Sequence, residues 1–478
     1  HTIPMIYNSF LYITLFPFLF LLLHAIKKEA IKKYFLLAIS YALYYYYNQS
    51  LAAILLVVTL ISYTSALLIE RNKGKERTNS TSNNRSKLIV YLGALLTTLP
   101  LLFYKYTDFI LTEVLYMDSL SSHHTLIVPL GISFFTFQAL SYLFDVYRDK
   151  YQAEHHLPTY MLYISFFPSI TAGPINRYDA LRCQLSQLVR PNYQQLANGA
   201  KMIVWGMFLK TVIADRLLLY VNPVLDGYMQ HSGSELLAAS VLYSIQLYTD
   251  FAGYSLIAIG SASMLGIRLQ QNFHNPYFAH SVTDFWHRWH ISLSQWLRDY
   301  IYIPIGGNRC SKGRTYLNII ITFLISGIWH GANWTFILWG VLHGFFQVME
   351  KMLSFTKESR NTEHKVRQRM RRGISILINF LLINFLWIFF RMPSVGDAFH
   401  VIGKIFTEQD MNFWVFEKFI LLFILMVFAK DLIVEVTPGQ NPFHHPKLWV
   451  RWCTYVVVTT SIFLFGVFDS GQFIYAGF

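Results

Sequence analysis

Charge is scarce in this sequence. Asp, Glu, Lys and Arg make up 14% of its 478 residues, against about 25% in soluble globular chains, which excludes a freely soluble domain. Cysteine is nearly absent. Cys183, Cys310 and Cys453 stand apart from one another, so neither a disulfide framework nor a thiolate metal site is available. No polar stretch is long enough to fold separately. The longest, 70–88, is rich in Asn, Ser, Lys and Arg and reads as a flexible cytoplasmic loop. No internal repeat is found, which counts against the many transporters built from two repeated halves. No G-x-S-x-G motif anchors a serine triad.

Apolar side chains are abundant instead, at 54%, with 17% aromatic. Apolar runs recur at 5–23, 34–48, 51–69, 88–104, 126–147, 197–221, 236–260, 316–329, 334–350, 374–392, 417–435 and 450–468. A bilayer crossing takes about 20 such residues, and only helices and closed barrels satisfy their backbone there. The expected fold is an all-α polytopic membrane protein of about 11–12 transmembrane helices, a single membrane-embedded domain over 1–478. The first run has no small-residue cleavage motif and is expected to be retained.

The net charge of +13 is loop charge, and no nucleic-acid partner is expected. If the loop with Lys27, Lys28, Lys32 and Lys33 is cytoplasmic, alternation places 70–88, 148–195, 268–315, 351–373 and 436–451 on the same side. These segments hold most of the 39 Lys and Arg, while the opposite loops hold Lys105, Arg391 and Lys404. That asymmetry fits the positive-inside rule, with both termini outside. Two cytoplasmic segments, 157–175 and 273–305, are too apolar to lie in water and read as re-entrant or interfacial pieces. The short runs 316–329 and 334–350 suggest a hairpin whose apex, His330 to Asn333, lies at membrane depth towards the outer side.

His330 is therefore the leading candidate. An ionisable side chain inside the membrane is costly and marks function by default. Imidazole can take a proton from a hydroxyl near neutral pH, and Gly327 and Gly331 permit close approach of backbone to ligand. A second stretch, Asp284-Phe285-Trp286-His287-Arg288-Trp289-His290, packs charge, imidazole and indole together. His287 and His290 are three apart and would share a helix face. No carboxylate or thiolate cluster completes a metal site there, so none is expected. His290 faces an apolar run and is the second candidate, against a structural role. His287 reads as a solvated or headgroup contact.

Arg288, Arg298 and Arg309 flank the loop Pro304-Ile305-Gly306-Gly307-Asn308, a basic patch able to hold phosphate or simply to set topology. Asp250, an acid at membrane depth, either pairs with one of these arginines or acts itself. Cys310 lies beside Arg309, which favours a thiolate, yet on the side away from His330. The pairs His123-His124, His155-His156 and His444-His445 read as solvated loop residues.

The stretches Asp284–Arg309 (DFWHRWHISLSQWLRDYIYIPIGGNR), Ile325–Gly344 (ISGIWHGANWTFILWGVLHG) and Val128–Arg148 (VPLGISFFTFQALSYLFDVYR) closely resemble the membrane-bound O-acyltransferase (MBOAT) family. The match is to its bacterial branch of alginate and peptidoglycan O-acetyltransferase membrane subunits and teichoic-acid D-alanyl transfer proteins. Phe167-Pro168, Ala172-Gly173-Pro174-Ile175 and the end Phe473-Ile474-Tyr475 are also similar, although Ala476-Gly477 departs from the commoner ending. The resemblance places the family's invariant histidine on His330 and its second histidine on His290.

The resemblance implies a multi-pass enzyme of the bacterial cytoplasmic membrane that moves an acyl group, most simply acetyl, across it. The donor would be a cytoplasmic thioester, acetyl-CoA or an acyl carrier protein, with no other cofactor. The acceptor would be an outer hydroxyl on a glycan or on an SGNH-type acetyltransferase partner. In this reading Trp329 and Asn333 shape the site around His330. The segment with Asp284, Trp286, Arg288 and Arg298 binds the donor. D-alanyl transfer from a carrier protein towards teichoic acid, and a channel or transporter with His330 as gate, are the alternatives.

Overall fold

The computed structural model describes residues 10–78, 84–117, 127–171, 173–353, 365–410, 417–437 and 439–468. Among the described residues the chain is helical and has no strand. The longer helices of the first part are α1 (Phe10–Ala25), α2 (Glu29–Asn48), α3 (Ala52–Thr78), α4 (Asn84–Phe109) and α5 (Ile132–Tyr147). Then come α6 (Leu157–Ser165), α7 (Tyr178–Ser186), α8 (Tyr193–Met207), α9 (Asp215–Asp226) and α10 (Gly233–Met264). The remainder are α11 (Val282–Arg288), α12 (Ile291–Leu297), α13 (Lys312–His330), α14 (Trp334–Met352), α15 (Lys365–Arg391), α16 (Val395–Thr407), α17 (Ile420–Val436) and α18 (Leu448–Phe465). Where they are described, the apolar runs read as spans lie largely on helix, although 127–131, 417–419 and 466–468 fall outside α5, α17 and α18.

Among the described residues four stretches are long and apolar enough to cross a bilayer by length and composition alone: Glu29–Gly74, Arg85–Val114, Arg369–Arg391 and Leu448–Phe465. Other helices carry polar side chains towards protein. Ser240, Ser244, Gln246, Thr249 and Asp250 of α10 are all buried, which lowers the helix's mean hydropathy without exposing charge to lipid.

Contacts divide the chain into two compact units. One is built on residues up to 203 with 255–270, the other on 204–254 with 271–470. In the first unit α5 is buried on almost every side, as a helix apolar all round should be. The segment 157–175 does sink into the protein: Tyr160, Leu162, Tyr163, Ile164 and Phe166 are fully buried. The Tyr163 hydroxyl donates to the Asn176 carbonyl at 2.9 Å, which ties this irregular backbone down. The expected loop 70–88 is largely helical. α3 runs through Thr78 and α4 starts at Asn84, because Lys, Arg and Glu are good helix formers. Lys73 also pairs with Asp149 at 2.7 Å. Residues 79–83 and the ending Phe473-Ile474-Tyr475 lie outside the described residues.

In the second unit α13 and α14 form the expected hairpin. Glycine makes it possible. A Cβ on Gly327 would stand 2.3 Å from the Phe336 carbonyl oxygen, and one on Gly340 would stand 2.3 Å from that of Phe323. Asn333 caps α14, its side-chain oxygen accepting from Thr335 N at 2.9 Å, while its amide donates to the Pro393 carbonyl at 2.9 Å. α16 falls in what reads as an outer loop. Ser394 caps it by accepting from Asp397 N. Ala398, Val401 and Ile405 are buried while Phe399 and Phe406 are exposed. Among the described residues Asp250 pairs with none of the three arginines considered for it. Its partner is Lys210, at 2.6 Å, which also reaches Asp215 at 2.7 Å. Lys210 lies in the π-helical turn Phe208–Ala214, a widened turn that lets one helix hold Lys210 and Asp215 together.

Candidate active site

His330 is the last residue of α13 and is 1% exposed. Aromatic edges surround it. Its ring centroid lies 4.9 Å from Trp329, 5.0 Å from Trp339 and 5.4 Å from Phe390, all near perpendicular. A Cβ on Gly331 would stand 2.2 Å from the Phe336 ring, so glycine at that position lets the chain turn sharply beside His330.

His290 does not share a helix face with His287. α11 ends before Trp289, and His290 takes a left-handed conformation (φ 44°, ψ 53°) as the residue preceding α12. This break turns the imidazole inward, where it is fully buried. Its Nδ1 lies 3.2 Å from Asn272 Oδ1. The same oxygen accepts from the backbone N–H and hydroxyl of Ser292. The Phe251 ring packs 4.7 Å away and Trp329 5.9 Å away. Trp329 therefore touches both candidate histidines.

A cavity of about 390 Å³ lies beside these groups. Its lining includes Trp286, His287 and Arg298 on one side, Ile319, Thr322, Phe323 and Ser326 of α13 on another, and Gln347 and Lys351 of α14. Positions 319, 322, 323 and 326 form one stripe of α13, and the next position on that stripe is 330. Ser326 lies one turn, about 6 Å, from His330 along the helix. His330 is not among the lining residues. The Trp286 ring in the cavity wall packs 5.7 Å from Trp339, which in turn packs against the His330 ring.

Of the expected donor-binding residues, Trp286 and Arg298 line the cavity. Asp284 and Arg288 are not among its lining residues. Arg288 Nε donates to Asp284 at 2.8 Å, and its two terminal nitrogens donate to Glu435 at 2.9 and 3.2 Å. Arg372 adds a second cation to Glu435 at 2.9 Å. Burial alone would raise the Asp284 pKa. The hydrogen bond and charge of Arg288, with His280, outweigh it and hold the carboxyl below its usual range. The network reads as a clamp between α11, α15 and α17. Cys310 is partly buried against the Gly306 carbonyl at 3.3 Å. His343, Asn272 and Trp339 join the site without having been singled out in sequence. The repeated His-Gly of His330-Gly331 and His343-Gly344 was the available signal for His343.

The family model for MBOAT, the membrane-bound O-acyltransferase family, matches residues 39–391. A probable alginate O-acetylase of Pseudomonas aeruginosa is 33% identical over 84% of this chain and 75% of its own length. A peptidoglycan O-acetyltransferase of Helicobacter pylori is 36% identical over 67% of this chain and 65% of its own length. A teichoic acid D-alanyltransferase of Streptococcus thermophilus is 29% identical over 64% of this chain and 76% of its own length. The matched region holds both candidate histidines, the α13–α14 hairpin and all of α15. This multi-pass helical membrane chain belongs to the membrane-bound O-acyltransferase family and is an O-acyltransferase.

Proposed function

We propose that the protein takes an acyl group, most simply acetyl, from a cytoplasmic thioester and passes it to a hydroxyl on the outer side of the membrane. The end use would be O-acetylation of a cell-wall or exported glycan, directly or through an SGNH-type acetyltransferase partner. One observation carries this reading: the α13 stripe that lines the cavity continues to His330. The exposed Arg298 and Lys351 at the cavity suit the phosphates of coenzyme A or the phosphopantetheine of a carrier protein. They belong to segments read as cytoplasmic. The acetyl preference follows the relatives, since the two O-acetylating ones are more similar to this chain than the D-alanyl one.

In the proposed step His330 acts as general base. It removes the acceptor hydroxyl proton as the oxygen attacks the thioester carbonyl. The carbon–sulfur bond then breaks, and the leaving thiolate takes the proton back from His330. His290, held by Asn272, orients the donor or relays that same proton to the thiolate. Trp329 shapes the site between the two histidines, and Asn333 fixes the turn that follows His330. Confining both substrates raises their effective concentration and excludes water.

Proteoliposomes supplied with radiolabelled acetyl-CoA, or with D-alanyl carrier protein, test the assignment. Label moving from acetyl-CoA to a hydroxyl acceptor, and abolished by His330→Ala, supports it. Transfer from D-alanyl carrier protein alone reassigns the donor.

A further inference from the structure

His343 lies on α14, fully buried, and has no part in the step above. Its Nδ1 stands 3.1 Å from Nε1 of Trp286. An indole N–H only donates, so His343 accepts, and its ring is held as the neutral tautomer protonated on Nε2. That Nε2 has no hydrogen-bond partner among the described residues. A buried polar atom left unpaired is costly, and a phenyl ring would fill much of the same volume without that cost. The bond offered to Trp286 is what distinguishes imidazole at this position.

Trp286 matters because of where it stands. It lines the cavity and packs 5.2 Å from Phe323 and 5.7 Å from Trp339. Trp339 in turn packs 5.0 Å from His330. A chain of ring contacts thus runs from the cavity wall at Trp286 through Trp339 to His330, and the His343 ring touches both indoles, at 5.1 Å from Trp286 and 4.8 Å from Trp339. Rotation of the Trp286 indole would open the cavity wall towards Trp339 and His330.

We propose that His343 is a positioning residue that latches the Trp286 indole across the inner end of the cavity. The latched indole admits a thioester carrying a short acyl group and keeps water away from it. The inference rests on the function proposed above. Releasing the latch leaves the reacting groups in place but loosens the wall. Water then competes with the acceptor for the thioester, and longer acyl groups enter.

The test measures, in proteoliposomes, thioester hydrolysis relative to acyl transfer, and the butyryl-to-acetyl rate ratio. His343→Phe keeps a ring and removes the acceptor. It is expected to raise both ratios at least about fivefold. His343→Asn, whose side-chain oxygen takes the place of Nδ1, is expected to restore most of the difference. Trp286→Phe removes the donor and gives the same phenotype. Combining it with His343→Phe adds little, as expected for two ends of one contact. Should His343→Phe fail to accumulate in the membrane, Trp286→Phe with and without His343→Asn carries the test. Ratios within about twofold of wild type, no rescue by Asn, or additive effects overturn the latch. A His330→Ala protein that still transfers overturns the parent reading instead.

Discussion

Gly327 offers the sharpest link between packing and rate. Its α-carbon sits where α13 and α14 touch, and a Cβ there would come within 2.3 Å of the Phe336 carbonyl oxygen and 3.2 Å of the Gly340 α-carbon. Ordinary contact between such atoms needs about 1 Å more. Both close neighbours are backbone, so no side chain can swing aside and the helices must part by about that amount. Overpacking of this kind costs about 1–3 kcal/mol. His330, three residues on, and Trp339, on the facing helix, move with the separation. A displacement near 1 Å at a reacting group costs roughly 10²-fold in rate. Gly327→Ala should therefore lower acyl transfer by about that factor, with a modest loss of thermal stability in detergent. Gly313→Ala is the control. It lies on the same helix with nothing within 4 Å of its Cβ position and should be silent. Wild-type transfer by Gly327→Ala would refute the claim that hairpin contact sets the position of His330.

Three further outcomes follow. Lys210→Met removes the ammonium between two buried carboxylates and should cost about 3–5 kcal/mol, read as a fall in melting temperature; adding Asp215→Asn and Asp250→Asn should recover most of it. The Asp284 carboxyl is held below its usual range, so its contribution to stability is present above the ordinary carboxylate pKa of about 4 and fades as pH falls through the lower folded value. Melting of Asp284→Asn should therefore lose less than wild type on acidification; equal acid losses would remove the clamp from the account. Arg298→Glu with Lys351→Glu should raise KM for a phosphate-bearing donor several-fold at low salt and leave kcat nearly unchanged. An unchanged KM would place the donor elsewhere.

The helices were legible because apolar runs and loop charge are local signals, and the described part of each run is largely helix. What escaped was set by distance along the chain or by backbone geometry. Lys210 reaches Asp250 across forty residues, and Trp286 reaches His343 across 57; neither pairing leaves a periodic trace. The three-residue spacing of His287 and His290 suggested one helix face, but a left-handed residue at His290 breaks that helix, and no glycine or proline marks the break. α16 went unread because its apolar face is short and lies between polar residues. The charge of 70–78 read as loop because composition alone does not separate a solvated helix from coil. His330 stood out in sequence through cost: a titratable group flanked by apolar runs. The cavity beside it, and the indoles between, needed coordinates.

The central claim is that His330 takes the proton from the acceptor hydroxyl. It is tested most directly by reconstituting wild type and His330→Ala in proteoliposomes, with labelled acetyl thioester on one face and a hydroxyl acceptor on the other. Transfer in the variant should fall by about 10²–10⁴-fold, with normal insertion and donor binding retained. Wild-type transfer by a correctly inserted His330→Ala protein would contradict it.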